Sequence, residues 1–142
     1  MADIPRAEPG LVVHFNFLWR AEFERGQQEA RYPRPCAIVL SYRRGADGML
    51  MVTLVPITHT APGRDDVAIE LPSGVKRHLG LDELRSWVVL DQVNETPWPG
   101  FDLHPNANGE YVYGFIPPNL FQRIRNRMIE VIKEGRLRRI QR

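Results

Sequence analysis

The stretch that most limits how this chain can fold is Cys36–Tyr42, CAIVLSY, an almost unbroken apolar run of strand length. A short run without alternation suits a central strand buried on both faces. Ala46-Asp47-Gly48 follows with the residue types of a tight hairpin turn. Met49–Val55, MLMVTLV, then returns as a second strand. Pro56 is expected to end its regular pairing, because proline lacks the amide donor.

Weaker strands surround this hairpin. Leu11–Phe17 alternates, with Val13, Phe15 and Phe17 on one side and His14 and Asn16 on the other. Leu18–Pro33 has no clean periodicity and reads as a long polar loop, a kind of segment that often carries function. Val67–Leu71, Trp87–Val93 and Tyr111–Phe115 are further strands, and Leu81–Leu84 is expected as a helical turn. Asn108-Gly109 marks a tight turn in a Pro-, Gly- and Asn-rich loop. Leu120, Phe121, Ile124, Met128, Val131 and Ile132 share one helical stripe, which predicts an amphipathic helix over Asn119–Glu134 stopped at Gly135. Strands first and a helix last give an α+β, mainly β class for a single domain spanning 1–142, with a short basic tail at 136–142.

Composition narrows the class. With 43% hydrophobic and 25% charged residues, the 142-residue chain is that of an ordinary globular protein. No apolar run approaches the ~20 residues that span a bilayer, and the polar Met1–Glu8 stretch is no signal-peptide core. The lone Cys36 forms no intrachain disulfide. A cytoplasmic location without membrane attachment is expected. Basic residues crowd the C-terminal third, from Arg123 to Arg142, and recur at Arg31, Arg34, Arg43 and Arg44. Such clusters can attract polyanions, although charge alone favours a solvated helix face and a frayed tail.

Familiar enzymatic signatures are missing: no zinc HExxH helix, P-loop, GxSxG elbow or dinucleotide fingerprint. His14, His59, His78 and His104 are dispersed, without metal-ligand spacing. Three segments stand out instead. Arg34-Pro35 opens the buried strand, where a guanidinium can offer paired planar donors to a phosphate. Val55-Pro56-Ile57-Thr58-His59-Thr60 follows the returning strand, so hairpin geometry sets Arg34 and Thr58 together at the open end. Asp91 and Gln92 interrupt an apolar strand and need partners, bracing the site or a subunit contact.

The order R-P-x-x-x-V-L-S, V-P-I-T, V-x-x-D-Q-V and an amphipathic helix, from about Gly10 to Gly135, resembles the MazF/PemK toxins of bacterial toxin–antitoxin pairs. SGVKRHLGLD, W-P-G and the run from Tyr113 to Phe121 are similar to a PemK-like subgroup of growth inhibitors. The resemblance implies a small Src-homology-3-like barrel of the kind shared by MazF and the gyrase poison CcdB, usually a homodimer. It implies cofactor-free, metal-independent cutting of single-stranded RNA by attack of the 2′-hydroxyl, leaving a 2′,3′-cyclic phosphate and a 5′-hydroxyl, with neutralisation by a cognate antitoxin. The essential arginine and threonine of the family match Arg34 and Thr58. The first-loop G-S-E-Q element appears as Gly26-Gln27-Gln28-Glu29: Gln28 stands at the glutamate position and Glu29 one residue later. Glu29, His59 and His14 remain the candidates for acid–base work. Gln28, His14, Trp19, Arg43 and His59 are expected to contact RNA. The alternative is a non-catalytic binder on the same fold, a gyrase poison like CcdB or an RNA-binding regulator.

Overall fold

The structure, a computed structural model, describes residues 3–26 and 32–142. The expected hairpin is present. β2 (Arg34–Arg43) and β3 (Leu50–Thr58) run antiparallel, with Cys36 opposite Pro56 and Ala37 opposite Val55. The turn is closed by Gly48 N–H donating to Arg44 O at 2.8 Å. β1 (Leu11–Phe15) pairs the other edge of β2, and β7 (Val112–Phe115) pairs β1.

Because side chains alternate along a strand, β1–β3 feed two cores at once. Val12, Ala37, Val55 and Ile57 enter one cluster; Leu11, Val13, Phe15, Cys36, Ile38, Val52 and Leu54 enter the other. Helix α3 (Pro118–Lys133) covers the first cluster through Leu120, Ile124, Met128 and Val131. Ile132, placed on the same stripe by periodicity, is 47% exposed. Pro118 stands in the first turn of α3, where its missing amide costs nothing. Gly135, at φ +70°, lets Arg136 N–H reach Val131 O and its own N–H reach Ile132 O, the bond pair that stops a helix. Cys36 lies wholly within the second cluster, and burial pushes its thiol well above the usual range. A thiol reagent should therefore leave the native protein unlabelled and modify it only on unfolding, which labelling followed by mass measurement will check.

Several expectations need correction. Pro56 does not end β3. The strand pairs β6 (Gln92–Pro97) over Met51–Leu54 and β5 (Trp87–Val89) over Ile57–Thr58, and Pro56 falls between, where its missing donor disturbs neither pairing. The single strand expected over Trp87–Val93 is thus two strands, broken at Leu90-Asp91. The polar loop contains a short helix, α1 (Arg20–Glu24), whose Glu22 carboxylate reaches back to Trp19 N–H at 3.0 Å. The helical turn lies at α2 (Ser73–His78), not at Leu81–Leu84, and a short β4 (Ala68–Glu70) pairs β5. The 136–142 segment is no free tail. It carries β8 (Arg138–Gln141), parallel to β6, the intervening β7 and α3 supplying the long crossover that parallel pairing needs.

The result is a mainly β, α+β architecture with an eight-stranded sheet running β4-β5-β3-β2-β1-β7, β6 and β8 branching from β3. The path is open, because β4 and β7 are not paired to each other. Among the described residues, no helix is long and apolar enough to cross a membrane.

Candidate functional site

The register that sets Cys36 opposite Pro56 sets Arg34 opposite Thr58 when carried two residues on. Directly opposed residues in an antiparallel pair project from the same face. Both residues line one cavity of 680 Å³, walled also by Trp19, Tyr32, His59, Asp82, Asp91 and Tyr113.

Arg34 is held there by aromatic rings. Its guanidinium carbon lies 5.0 Å from the Trp19 ring centroid and 5.2 Å from that of Tyr32. Trp19 is itself fixed edge-on against buried Phe17, with centroids 5.3 Å apart. Arg34 Nε is buried without a hydrogen-bond partner among the described residues. Arg34 is the only arginine or lysine among the described residues lining the cavity. A preorganised cation with donors to spare in a concave site suits an anionic ligand. Thr58 Oγ1 accepts Thr60 N–H at 3.2 Å, which leaves its hydroxyl proton available to donate.

The loop above the cavity is tied down by buried polar groups. Asn94, fully buried, accepts Leu18 N–H at 2.8 Å and donates to Leu18 O at 2.9 Å. Arg142 adds a 3.0 Å bond to the same amide oxygen and bonds Asn16 O at 2.6 Å. Gln92 Oε1 accepts Arg20 N–H at 2.8 Å. Asn94→Leu keeps the side-chain size but strands the Leu18 amide and carbonyl. The expected loss is roughly 1–3 kcal/mol per buried group left unpaired, read as a lowered urea midpoint; an unchanged midpoint would refute this bracing.

The remaining sequence candidates separate. Trp19 and His59 line the cavity. Strand alternation argues against Thr58 and His59 sharing a site, but β3 ends at Thr58, so alternation does not govern His59. His14 stands behind the wall: its Nδ1 lies 2.7 Å from the Tyr113 hydroxyl, and Tyr113 lines the cavity. Burial, then the neighbouring His104, lowers the His14 pKa and favours the neutral ring. Arg43 does not join the group. It sits at the far end of β2, about 30 Å away at ~3.3 Å per residue, where it donates to Gly48 O. Gln28 and Glu29 lie outside the described residues.

Asp91 sits in the break between β5 and β6. Its carbonyl accepts Arg138 N–H at 2.9 Å, and the residue also lines the cavity. Desolvation raises its carboxyl pKa above the ordinary value, with Asp66 adding to this and the Asp91 and Val67 amides and Arg136 opposing it. Tyr32, Tyr113 and Asp82 were not foreseen. Only the D-Q interruption, the Y-V-Y alternation and the aromatic preceding R-P hint at such a wall in the sequence.

Half of the C-terminal basic cluster is engaged in ion pairs among the described residues. Arg127 and Arg136 meet Glu134, Arg139 meets Glu95 and Arg142 meets Asp102. Among the described residues, no group of three or more His, Cys, Asp or Glu side chains is placed to hold a metal ion. Comparison of the chain with protein-family models, curated proteins and solved structures finds no match.

Proposed function

We propose that the protein is a MazF/PemK-like toxin that cuts single-stranded RNA, with the cavity around Arg34 and Thr58 as its active site. The observation that carries this reading is Arg34: a guanidinium packed on two aromatic rings, one nitrogen unpartnered, across the hairpin from a hydroxyl with a proton to give. That pair offers two donors to one phosphoryl group, and the rings offer stacking faces to splayed bases.

RNA brings its own nucleophile. Asp91, its pKa raised by desolvation, is suited to take the 2′-hydroxyl proton near neutral pH. Arg34 and Thr58 stabilise the charge that builds on the non-bridging oxygens. The oxygen of the 2′-hydroxyl bonds to phosphorus, the bond to the 5′-oxygen breaks, and a 2′,3′-cyclic phosphate remains. The open sheet is read as the frame of the small barrel this family shares, working as a homodimer under the control of an antitoxin.

The test is incubation of purified protein with mixed-sequence single-stranded RNA in EDTA, with the ends of the fragments analysed. Cyclic-phosphate ends in the wild type, missing with Arg34→Ala, support the reading. Intact RNA at high protein concentration, with growth arrest on expression, overturns it in favour of a protein-binding toxin.

A further inference from the structure

A hydrogen-bonded line of three side chains runs to the cavity from Lys76 on α2. Lys76 is buried, its side chain only 5% exposed, and its ammonium donates to Asp82 Oδ1 at 2.9 Å and to Leu84 O. Asp82 Oδ1 also accepts Leu84 N–H at 3.1 Å. The Lys76 hydrogen bond is the largest of the influences holding the Asp82 carboxyl below its ordinary pKa, so it stays ionised. Asp82 then meets His59 Nε2, with Oδ2 at 2.8 Å. His59 Nδ1 has no protein partner among the described residues, and His59 follows directly on Thr58 in the cavity wall.

A surface carboxylate–histidine pair by itself contributes little. This one has a costly support: burying an ammonium is unfavourable unless it is well paired, and here the burial serves to fix a carboxylate whose exposed contact is His59. A carboxylate on one imidazole nitrogen selects the tautomer and orients the ring, leaving the other nitrogen to exchange protons.

We infer that His59 Nδ1 is the proton donor to the departing 5′-oxygen, with Asp82 and Lys76 as positioning residues; this rests on the ribonuclease reading above. As the phosphorus–5′-oxygen bond breaks, its electron pair stays on oxygen and takes the Nδ1 proton. His59 is left neutral, with its Nε2 proton held by Asp82, while Asp91 carries the proton from the 2′-hydroxyl. Exchange with water resets both. Among the described residues, the charged groups sharing the cavity with His59 are Asp82, Asp66, Asp91 and Arg34, with Lys76 behind Asp82.

The experiment compares ordinary RNA with RNA carrying a bridging 5′-sulfur at the cleavage site, since a thiolate leaves without being protonated. His59→Gln should lower kcat on ordinary RNA by about 10²–10⁴ and recover to within a few-fold of wild type on the sulfur substrate. Asp82→Asn should show a smaller loss with the same rescue, and Lys76→Met likewise where it folds. Arg34→Ala should be impaired on both substrates. Equal losses for His59→Gln on both substrates, or no loss on either, would overturn the inference while leaving the nuclease intact. A wild type that cuts neither substrate instead fails the underlying reading, and the inference with it.

Discussion

Arg34→Ala is expected to lower the rate of the proposed RNA cleavage by about 10²–10³, the usual cost of removing one preorganised donor from developing oxyanion charge. The effect is expected in kcat more than in KM, because the charge that Arg34 stabilises is larger in the transition state than in bound RNA. Arg34→Lys recovers only part of the loss. A lysine keeps the charge, but it lacks the planar fork and stacks poorly on the Trp19 and Tyr32 rings that now hold the guanidinium. The cost to folding should be limited to the lost stacking, about 0.5–2 kcal/mol, since Arg34 has no ion pair among the described residues. Single-turnover rates in EDTA, alongside urea unfolding of the same preparations, separate the two effects. An Arg34→Ala protein that is folded and fully active would remove Arg34 from the site.

The sequence made this pair visible because its geometry is local. CAIVLSY, the A-D-G turn and MLMVTLV determine one hairpin, and a hairpin fixes which residues face each other at its open end. The helix over residues 118–133 was equally legible, since its stripe and its stop at Gly135 are nearest-neighbour properties. What was hidden depends on contacts between distant segments. Nothing in R-L-R-R-I-Q-R distinguishes a solvated tail from β8, which exists because β6 offers it an edge. Pro56 reads as a terminator until β3 is seen to change partners around it. The cavity wall is assembled in the same way: Asp82 follows α2, Tyr113 comes from β7, and Asp91 sits in the break between β5 and β6. The charge pattern misled for a related reason. Counting arginines cannot reveal that Arg127, Arg136, Arg139 and Arg142 each meet a carboxylate, which leaves half of the C-terminal cluster already paired within the fold.

Asp91→Asn should abolish most activity while making the protein no less stable at pH 7, and the two effects have one cause. If Asp91 is the general base proposed for the cleavage, it must be deprotonated, and activity is expected to rise with pH through its pKa. Desolvation raises that pKa, which puts the acid limb of the wild-type profile above the ordinary carboxylate range. The amide of the Asp91→Asn variant cannot accept the proton, and a loss of about 10²–10⁴ in kcat is expected together with disappearance of that limb. For stability the sign runs the other way. A carboxyl whose pKa is higher in the folded than in the unfolded chain favours folding when protonated. That contribution is complete below the unfolded pKa of about 3.9 and is lost as pH rises through the folded value. At pH 7 the ionised carboxylate therefore opposes folding, and a neutral amide in its place relieves the penalty of keeping a charge away from water. The unfolding midpoint of Asp91→Asn should equal or exceed that of wild type at pH 7, with any advantage shrinking toward pH 4. A variant that is inactive and markedly less stable at pH 7 would mean that Asp91 acts as a structural brace. One that retains its activity would show that the proton is taken elsewhere.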